Sequence, residues 1–313
     1  MGLLGLDIGG TKILGILYDE DGQEIARQKR KTKAAEGIDV VMNQVFKVID
    51  DLIKESTSKL EGIGVGVPGL VDAAGTVLFS PNIPFKDFEL SKLIKKRYSV
   101  PVYVGNDVNV AMYGEWKHIG NETSRDVLGM FIGTGVGGAI ILDGILYLGQ
   151  GSAGEFGHMV VSADGAYCGC GAQGCLEAYA SKTAIQKYIE KQIGKGRTTL
   201  LTELLEEDGV VLKSSSLIKA YEKNDALAIE VIDRTARYLG IAVGSLVNIF
   251  HPDLFILGGG VMEAMGSILL EKTLNEAQQH AMPGLLKTVA FSLSEMGDEA
   301  GVYGAYQLIK SKM

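Results

Sequence analysis

No stretch of this sequence gathers basic residues into a block. Thirty Lys and Arg stand against 38 Asp and Glu, a formal charge of −8, so the electrostatic footprint of a nucleic-acid binder is missing and no such partner is expected. The short runs Lys29-Arg30-Lys31 and Lys95-Lys96-Arg97 lie beside amphipathic patterns and read as solvated faces. Long apolar runs are missing too. Val127 to Leu142 falls short of the ~20 residues a membrane helix needs and is broken by glycines, so no membrane span is expected. Residues Met1 to Asp7 have no basic region before their short apolar run, which argues against a secretory signal. Cysteine is scarce: the only three, Cys168, Cys170 and Cys175, share one short window, which suits a metal site rather than a disulfide framework and implies a reducing, cytoplasmic setting. No G-x-x-x-x-G-K-[ST] stretch occurs, leaving a P-loop NTPase unsupported. Without a low-complexity linker, any domain boundary is a hinge, placed near Gly120.

What is present is globular. The chain has 313 residues, 46% of them hydrophobic, more than one core usually organises, so two lobes with a cleft between them are expected. These are residues 1–119 with a returning terminal helix at 299–313, and residues 120–298. Strands are predicted at 3–8, 13–18, 25–31, 63–67 and 102–105, with amphipathic helices over 40–53 and from 107 through Trp116. Strand, glycine turn and strand recur at 128–132, 139–142 and 145–148, an echo of the opening that points to two related halves. Helical patterns dominate from Leu176, broken at 194–197 and 207–209, until a strand at 254–257; a last helix covers 299–309. Strands alternating with helices make this an α/β fold.

Several motifs carry chemistry. Asp7-Ile8-Gly9-Gly10-Thr11-Lys12 places a carboxylate at a strand end before a glycine turn, where backbone N–H groups can meet phosphate oxygens and the aspartate can hold Mg²⁺ through water; a plain hairpin turn is the alternative. Gly133-Thr134-Gly135-Val136-Gly137-Gly138 matches the dinucleotide fingerprint formally, but β-branched residues follow it instead of a helix. A second phosphate-contacting hairpin, with Thr134 donating to a terminal phosphate, fits better than an oxidoreductase. Gly258-Gly259-Gly260 offers a bare backbone surface for a nucleobase or ribose, or is a simple strand-to-helix turn. Asn106-Asp107-Val108-Asn109 closes a strand and opens a helix; Asp107 there can accept a hydroxyl proton during attack on a γ-phosphate, or cap the helix. His158 with Cys168, Cys170 and Cys175 fits tetrahedral zinc with no open position, hence a structural metal. Glu155 and Glu177 flank that knuckle as acceptors for vicinal sugar hydroxyls, or as surface charges.

Glu155-Phe156-Gly157-His158 followed by Cys168-Gly-Cys-Gly-Ala-Gln-Gly-Cys175-Leu-Glu177 resembles the signature of the ROK family of sugar kinases and repressors, and the likeness runs from Asp7 to the Gly258 triplet. The resemblance implies a two-lobed actin-like ATPase (ribonuclease H-like) fold with nucleotide and sugar in the interlobe cleft. It implies ATP and Mg²⁺ at Asp7, Gly9, Gly10, Thr11, Lys12, Gly133, Thr134, Gly135 and Gly137, and adenosine near Gly258, Gly259 and Gly260. Asp107 becomes the general base. Sugar hydroxyls fall to Gly69, Asn82, Asn106, Asp107, Glu155, His158 and Glu177, with His158 using one ring nitrogen for zinc and the other for sugar. A homodimer or homotetramer is expected on the same ground. Family repressors carry a DNA-binding domain ahead of the Asp-x-Gly-Gly-Thr motif, which here starts at residue 7, so a kinase is expected: transfer from ATP to a hexose 6-hydroxyl, glucose first. Fructose, mannose, N-acetylated amino sugars and a non-catalytic sugar-sensing module are the alternatives. The loop Ser80-Pro-Asn-Ile-Pro-Phe85 lacks the Asn-Trp of some glucokinases.

Overall fold

The structure, a computed structural model, describes residues 2–56, 58–119, 123–209 and 213–313; the boundary expected near Gly120 lies outside the described residues. Two units emerge: Met1–Thr123 with Ala139–Gly154 and Glu295–Met313, and Ser124–Gly138 with Glu155–Ser294. This division differs from the expected one chiefly at 139–154, which packs with the first unit. A Cβ on Gly151 would lie 3.0 Å from the Val71 carbonyl oxygen, and one on Gly144 would touch Trp116 at 3.7 Å.

The first unit opens with β1 (Gly2–Ile8), β2 (Lys12–Tyr18) and β3 (Glu24–Lys31), then α1 (Ile38–Glu55), β4 (Leu60–Val67), β5 (Leu70–Val71), β6 (Val77–Phe79), β7 (Lys86–Phe88), α2 (Leu90–Tyr98), β8 (Val102–Asn106) and α3 (Asp107–Ile119). Its main sheet has the order β3-β2-β1-β4-β8, and β5, β6 and β7 form a small separate sheet. Alternation does not mark β1, because both its faces are covered. Leu4, Leu6 and Ile8 are fully buried with α1 residues Val45, Val48 and Leu52, spaced three and four apart as one helical face requires. Strands β1, β4 and β8 run parallel, with Asp7 in register with Gly66 and Gly66 with Gly105. Asp7 and the start of α3 therefore share one end of one sheet, the carboxyl end where open α/β sheets place ligand groups.

Next come β9 (Val127–Ile132), β10 (Val136–Leu142) and β11 (Ile145–Tyr147), then α4 (Glu177–Ala180), α5 (Lys182–Gly194), α6 (Leu201–Asp208), α7 (Ser214–Glu222), α8 (Ala226–Phe250), β12 (Leu254–Gly258), α9 (Gly260–Ala277), β13 (Ala290–Leu293) and α10 (Ala300–Lys310). In the second unit β9, β12 and β13 run parallel. Asp225 starts the long α8 by accepting the N–H groups of Leu227 and Ala228 at 3.0 and 2.9 Å, a cap that satisfies two otherwise orphaned donors. α10 returns to the first unit and lies so close on β1 and β4 that only glycine fits beneath it. A Cβ on Gly5 would be 2.1 Å from the Val302 carbonyl oxygen and one on Gly64 1.9 Å from that of Ala305. No helix among the described residues is long and apolar enough to cross a membrane.

Candidate active site

In the first unit, the turn after β1 is closed by the Gly9 N–H donating to the Lys12 carbonyl at 2.8 Å and by Thr32, whose N–H donates to the Thr11 carbonyl at 3.0 Å. A Cβ on Gly10 would sit 2.9 Å from Cβ of Asn82, and one on Gly301 3.1 Å from Cγ of Asp7. The turn thus packs between the 80–85 loop and the start of α10. Asp7 is pushed up to about 7, first by burial and then by the negative charge of Asp107, with Lys12 pulling the other way. Such a carboxyl, desolvated beside a like charge, is poised to take a cation. The Lys12 ammonium is paired with Asp298.

At the neighbouring end of β8, the capping question resolves between two adjacent residues. Asn106 accepts the Asn109 N–H on Oδ1 at 3.1 Å and donates from Nδ2 to the Gly69 carbonyl at 3.0 Å. Capping α3 through the third N–H is therefore the work of Asn106, while Asp107 Oδ1 accepts its neighbour Val108 N–H at 2.9 Å. Gly69 has φ +110°, and a Cβ there would collide with the Phe79 carbonyl at 2.0 Å, so no other residue holds this bend.

In the second unit, Gly133-Thr134-Gly135 leads into strand β10 rather than a helix, which removes the dinucleotide reading. α5 grips this turn: the Lys182 N–H donates to the Gly133 carbonyl at 2.8 Å and Thr183 Oγ1 to that of Thr134 at 2.8 Å. The Val136 N–H donates to Glu177 Oε2 at 3.0 Å, so Glu177, expected on sugar hydroxyls, also braces the turn. Gly137 follows within β10. Gly258 pairs with Phe131 in the sheet, and Gly259, at φ +85°, comes so near Ile132 that a Cβ would lie 2.7 Å from its carbonyl oxygen. Gly260 begins α9, so the glycine triplet adjoins the strand that delivers Gly133. A cavity of about 330 Å³ beside this turn is lined by Thr134, Cys168, Glu177, Ser181, Thr183 and Lys187 among others.

The cysteine knuckle folds on short turns. The Cys168 N–H donates to the Ala172 carbonyl at 2.8 Å and the Leu176 N–H to that of Met159 at 2.9 Å. Gly174, at φ +84°, leaves no room for a side chain, since a Cβ would be 1.9 Å from the Ser162 carbonyl oxygen. Glu155 stands exposed just before the single turn Phe156–His158 and accepts the His158 N–H on its carbonyl at 3.0 Å. His158 faces Cys168 through Nδ1 at 3.8 Å, and Cys170 and Cys175 bring their sulfurs to 3.8 Å. One ligand atom from each of the four lies within 4.8 Å of the others, and no cysteine is in a disulfide. Three thiols and an imidazole converging this closely fit tetrahedral zinc.

Two residues of the first unit escaped the sequence reading. Asp298, which pairs with Lys12, lies in Gly297-Asp298-Glu299 just ahead of α10, a position with no spacing signal toward residue 12. Glu115 is fully buried in α3; a lone acid on an apolar helix face was its only trace.

The glucokinase of Halalkalibacterium halodurans is 33% identical to this chain over 316 residues, covering 99% of this chain and 95% of its own. A putative xylose repressor from a Caldicellulosiruptor species is 30% identical over 99% of this chain, which spans 78% of the repressor. Among solved structures, a ROK family glucokinase from Streptomyces griseus in complex with glucose and AMPPNP is 30% identical, with a TM-score of 0.80 over 99% of this chain and 100% of that one. The α/β fold, with its mixed sheets, is that of the two-lobed actin-like ATPases. The glycine turns, the strand-end aspartates and the cysteine-histidine knuckle sit within one continuous match of the ROK family model to residues 3–312, and the chain belongs to that family.

Proposed function

We propose that this chain transfers the γ-phosphoryl group of ATP to the 6-hydroxyl of a hexose, with glucose the first substrate to test. The observation that carries this reading is the placement of Asp7 and Asp107 at one end of one sheet, close enough for each charge to act on the other, while Asn106 relieves Asp107 of capping α3. The relatives named glucokinase, at about one-third identity over nearly the whole chain, support the same activity.

In the reaction, Asp107 accepts the proton of the attacking hydroxyl as its oxygen bonds to the γ-phosphorus and the bond to ADP breaks. Asp7 would hold Mg²⁺, which neutralises phosphate charge when bound. Within the first unit, Gly9 closes the turn with its own N–H, Gly10, Thr11 and Lys12 offer N–H groups and a cation to phosphate oxygens, and Gly69, Asn82 and Asn106 face the sugar hydroxyls. Within the second, Gly133, Thr134, Gly135 and Gly137 contact phosphate, Gly258, Gly259 and Gly260 lie along the nucleoside, Glu155 and Glu177 accept from sugar hydroxyls, and His158, with one ring nitrogen on zinc, donates to a sugar oxygen from the other. Zinc, held by His158, Cys168, Cys170 and Cys175, would supply structure alone, because four protein ligands leave no open position. Three unpaired thiols fit a reducing cytoplasm, and a homo-oligomer is part of the proposal by family likeness.

The test is a panel of glucose, fructose, mannose and N-acetylated amino sugars assayed for ADP release with MgATP. Asp107→Asn should keep sugar binding and lose roughly 10²–10⁴-fold in kcat; near-normal turnover removes Asp107 from this role. The likeness to the xylose repressor favours a second reading, a sugar-sensing module, which sugar binding without ADP release across the panel would support.

A further inference from the structure

Glu115 lies two turns beyond Asp107 on α3 and is 0% exposed. A carboxylate is kept in such a place only when its oxygens are satisfied. Oε2 accepts the backbone N–H of Glu295 at 2.9 Å and Oε1 that of Met296 at 3.0 Å. Two successive N–H groups on the two oxygens of one carboxylate fix both the position and the direction of that backbone, which one bond would not.

The chain then turns within three residues. Gly297 has φ +52°, and the Glu299 N–H donates to the Met296 carbonyl at 3.1 Å. That turn carries Asp298, whose side chain is 80% exposed and whose carboxylate is paired with the Lys12 ammonium. It also delivers Gly301 against Asp7. Lys12 and Lys29 attract the Asp298 carboxylate, but an apolar residue at 115 would fill the same space without capturing the N–H pair that fixes the backbone carrying it.

We propose that Glu115 is a positioning residue for the phosphate turn: by holding the Glu295 and Met296 N–H groups it presents Asp298 to Lys12 and so sets where that cation stands beside Asp7. The inference rests on the ATP-dependent reading above and adds two residues to it.

The test compares wild type, Glu115→Gln, Asp298→Asn and the double variant by kcat, KM for MgATP, KM for sugar and melting temperature. Each single change should raise KM for MgATP by about tenfold, with kcat within about threefold and KM for sugar unmoved. The double variant should be within about twofold of the worse single one, because both act through one contact. Multiplying effects, or a Glu115→Gln that melts earlier with unchanged kinetics, would overturn the proposal. So would an unaltered KM for MgATP in Asp298→Asn, whose exposed site tolerates the change even if Glu115→Gln fails to fold. Should the wild type release no ADP, the kinase reading fails by itself, and MgATP affinities of the same variants by calorimetry decide the positioning role.

Discussion

The Val136 N–H donates to Glu177 Oε2 at 3.0 Å, and a Cβ on Gly135 would stand 2.5 Å from that same oxygen. The glycine turn and the acid that closes the cysteine knuckle are therefore one packed object. Gly135→Ala should push the carboxylate away and loosen the turn, lowering kcat/KM by up to about 10²-fold, the cost of small misplacements in a site. Steady-state kinetics on both substrates checks this; an unchanged kcat/KM would show that the brace is dispensable.

Asp7 gives a pH signature. Its carboxyl is raised from an ordinary 3.8 to about 7 by burial and by Asp107. Between these values the native state holds a proton that the unfolded chain has lost, so this group's contribution makes stability fall as pH rises through the window. Below about 4 both states are protonated and the penalty is absent; above about 7 it is complete. Without Mg²⁺, the difference in melting temperature between Asp7→Asn and wild type should grow from pH 5 to pH 8, and Mg²⁺ should narrow it at pH 8 by raising the wild type. Parallel melting curves at all pH values would contradict the sign.

Freshly purified protein should carry one zinc per chain by elemental analysis, and Mg²⁺ should not replace it. Cys170 is exposed while Cys168 and Cys175 are buried, so Cys170→Ser removes a ligand without opening a core cavity. This variant should lose zinc, melt earlier and bind sugar more weakly. Zinc-free protein with full sugar affinity would refute the assignment.

Close backbone packing predicts unequal costs among glycines. Gly64→Ala places a Cβ 1.9 Å from the Ala305 carbonyl oxygen, whereas Gly133→Ala meets nothing within 4 Å. The first should cost on the order of 1–3 kcal/mol or more of unfolding free energy and the second stay within about 0.5 kcal/mol, by denaturant titration.

Where the sequence spoke clearly, the reason was local. Leu4, Leu6 and Ile8 before Gly9-Gly10, and Val41, Val45, Val48 and Leu52 at helical spacing, declare their elements within a few residues, and β1 and α1 form there. Three cysteines in one short window, with His158 ten residues ahead, could hardly avoid meeting; the structure converges all four. The short strands β5, β6, β7 and β13 escaped notice because two to four residues carry no usable period. The split between Asn106 as cap and Asp107 as a differently engaged acid depends on side-chain direction, which adjacent positions in sequence do not reveal. Glu115 and Asp298 gain their meaning only when residues 115 and 295–296, and 12 and 298, are brought together.

α3 and α10 touch through backbone: a Cβ on Gly304 would lie 1.8 Å from the Val110 carbonyl oxygen and one on Gly114 2.5 Å from that of Ala300. Tyr306 stacks on Tyr18 at 4.3 Å and shares a buried cluster with Leu14, Ile16 and Val302. On the ribosome, Leu14 and Ile16 must wait for Val302 and Tyr306, for about 15–60 s of translation at roughly 5–20 residues per second. During that interval one face of the nascent sheet stays bare and open to chaperones, and the helix that begins at Asp107 has no seat.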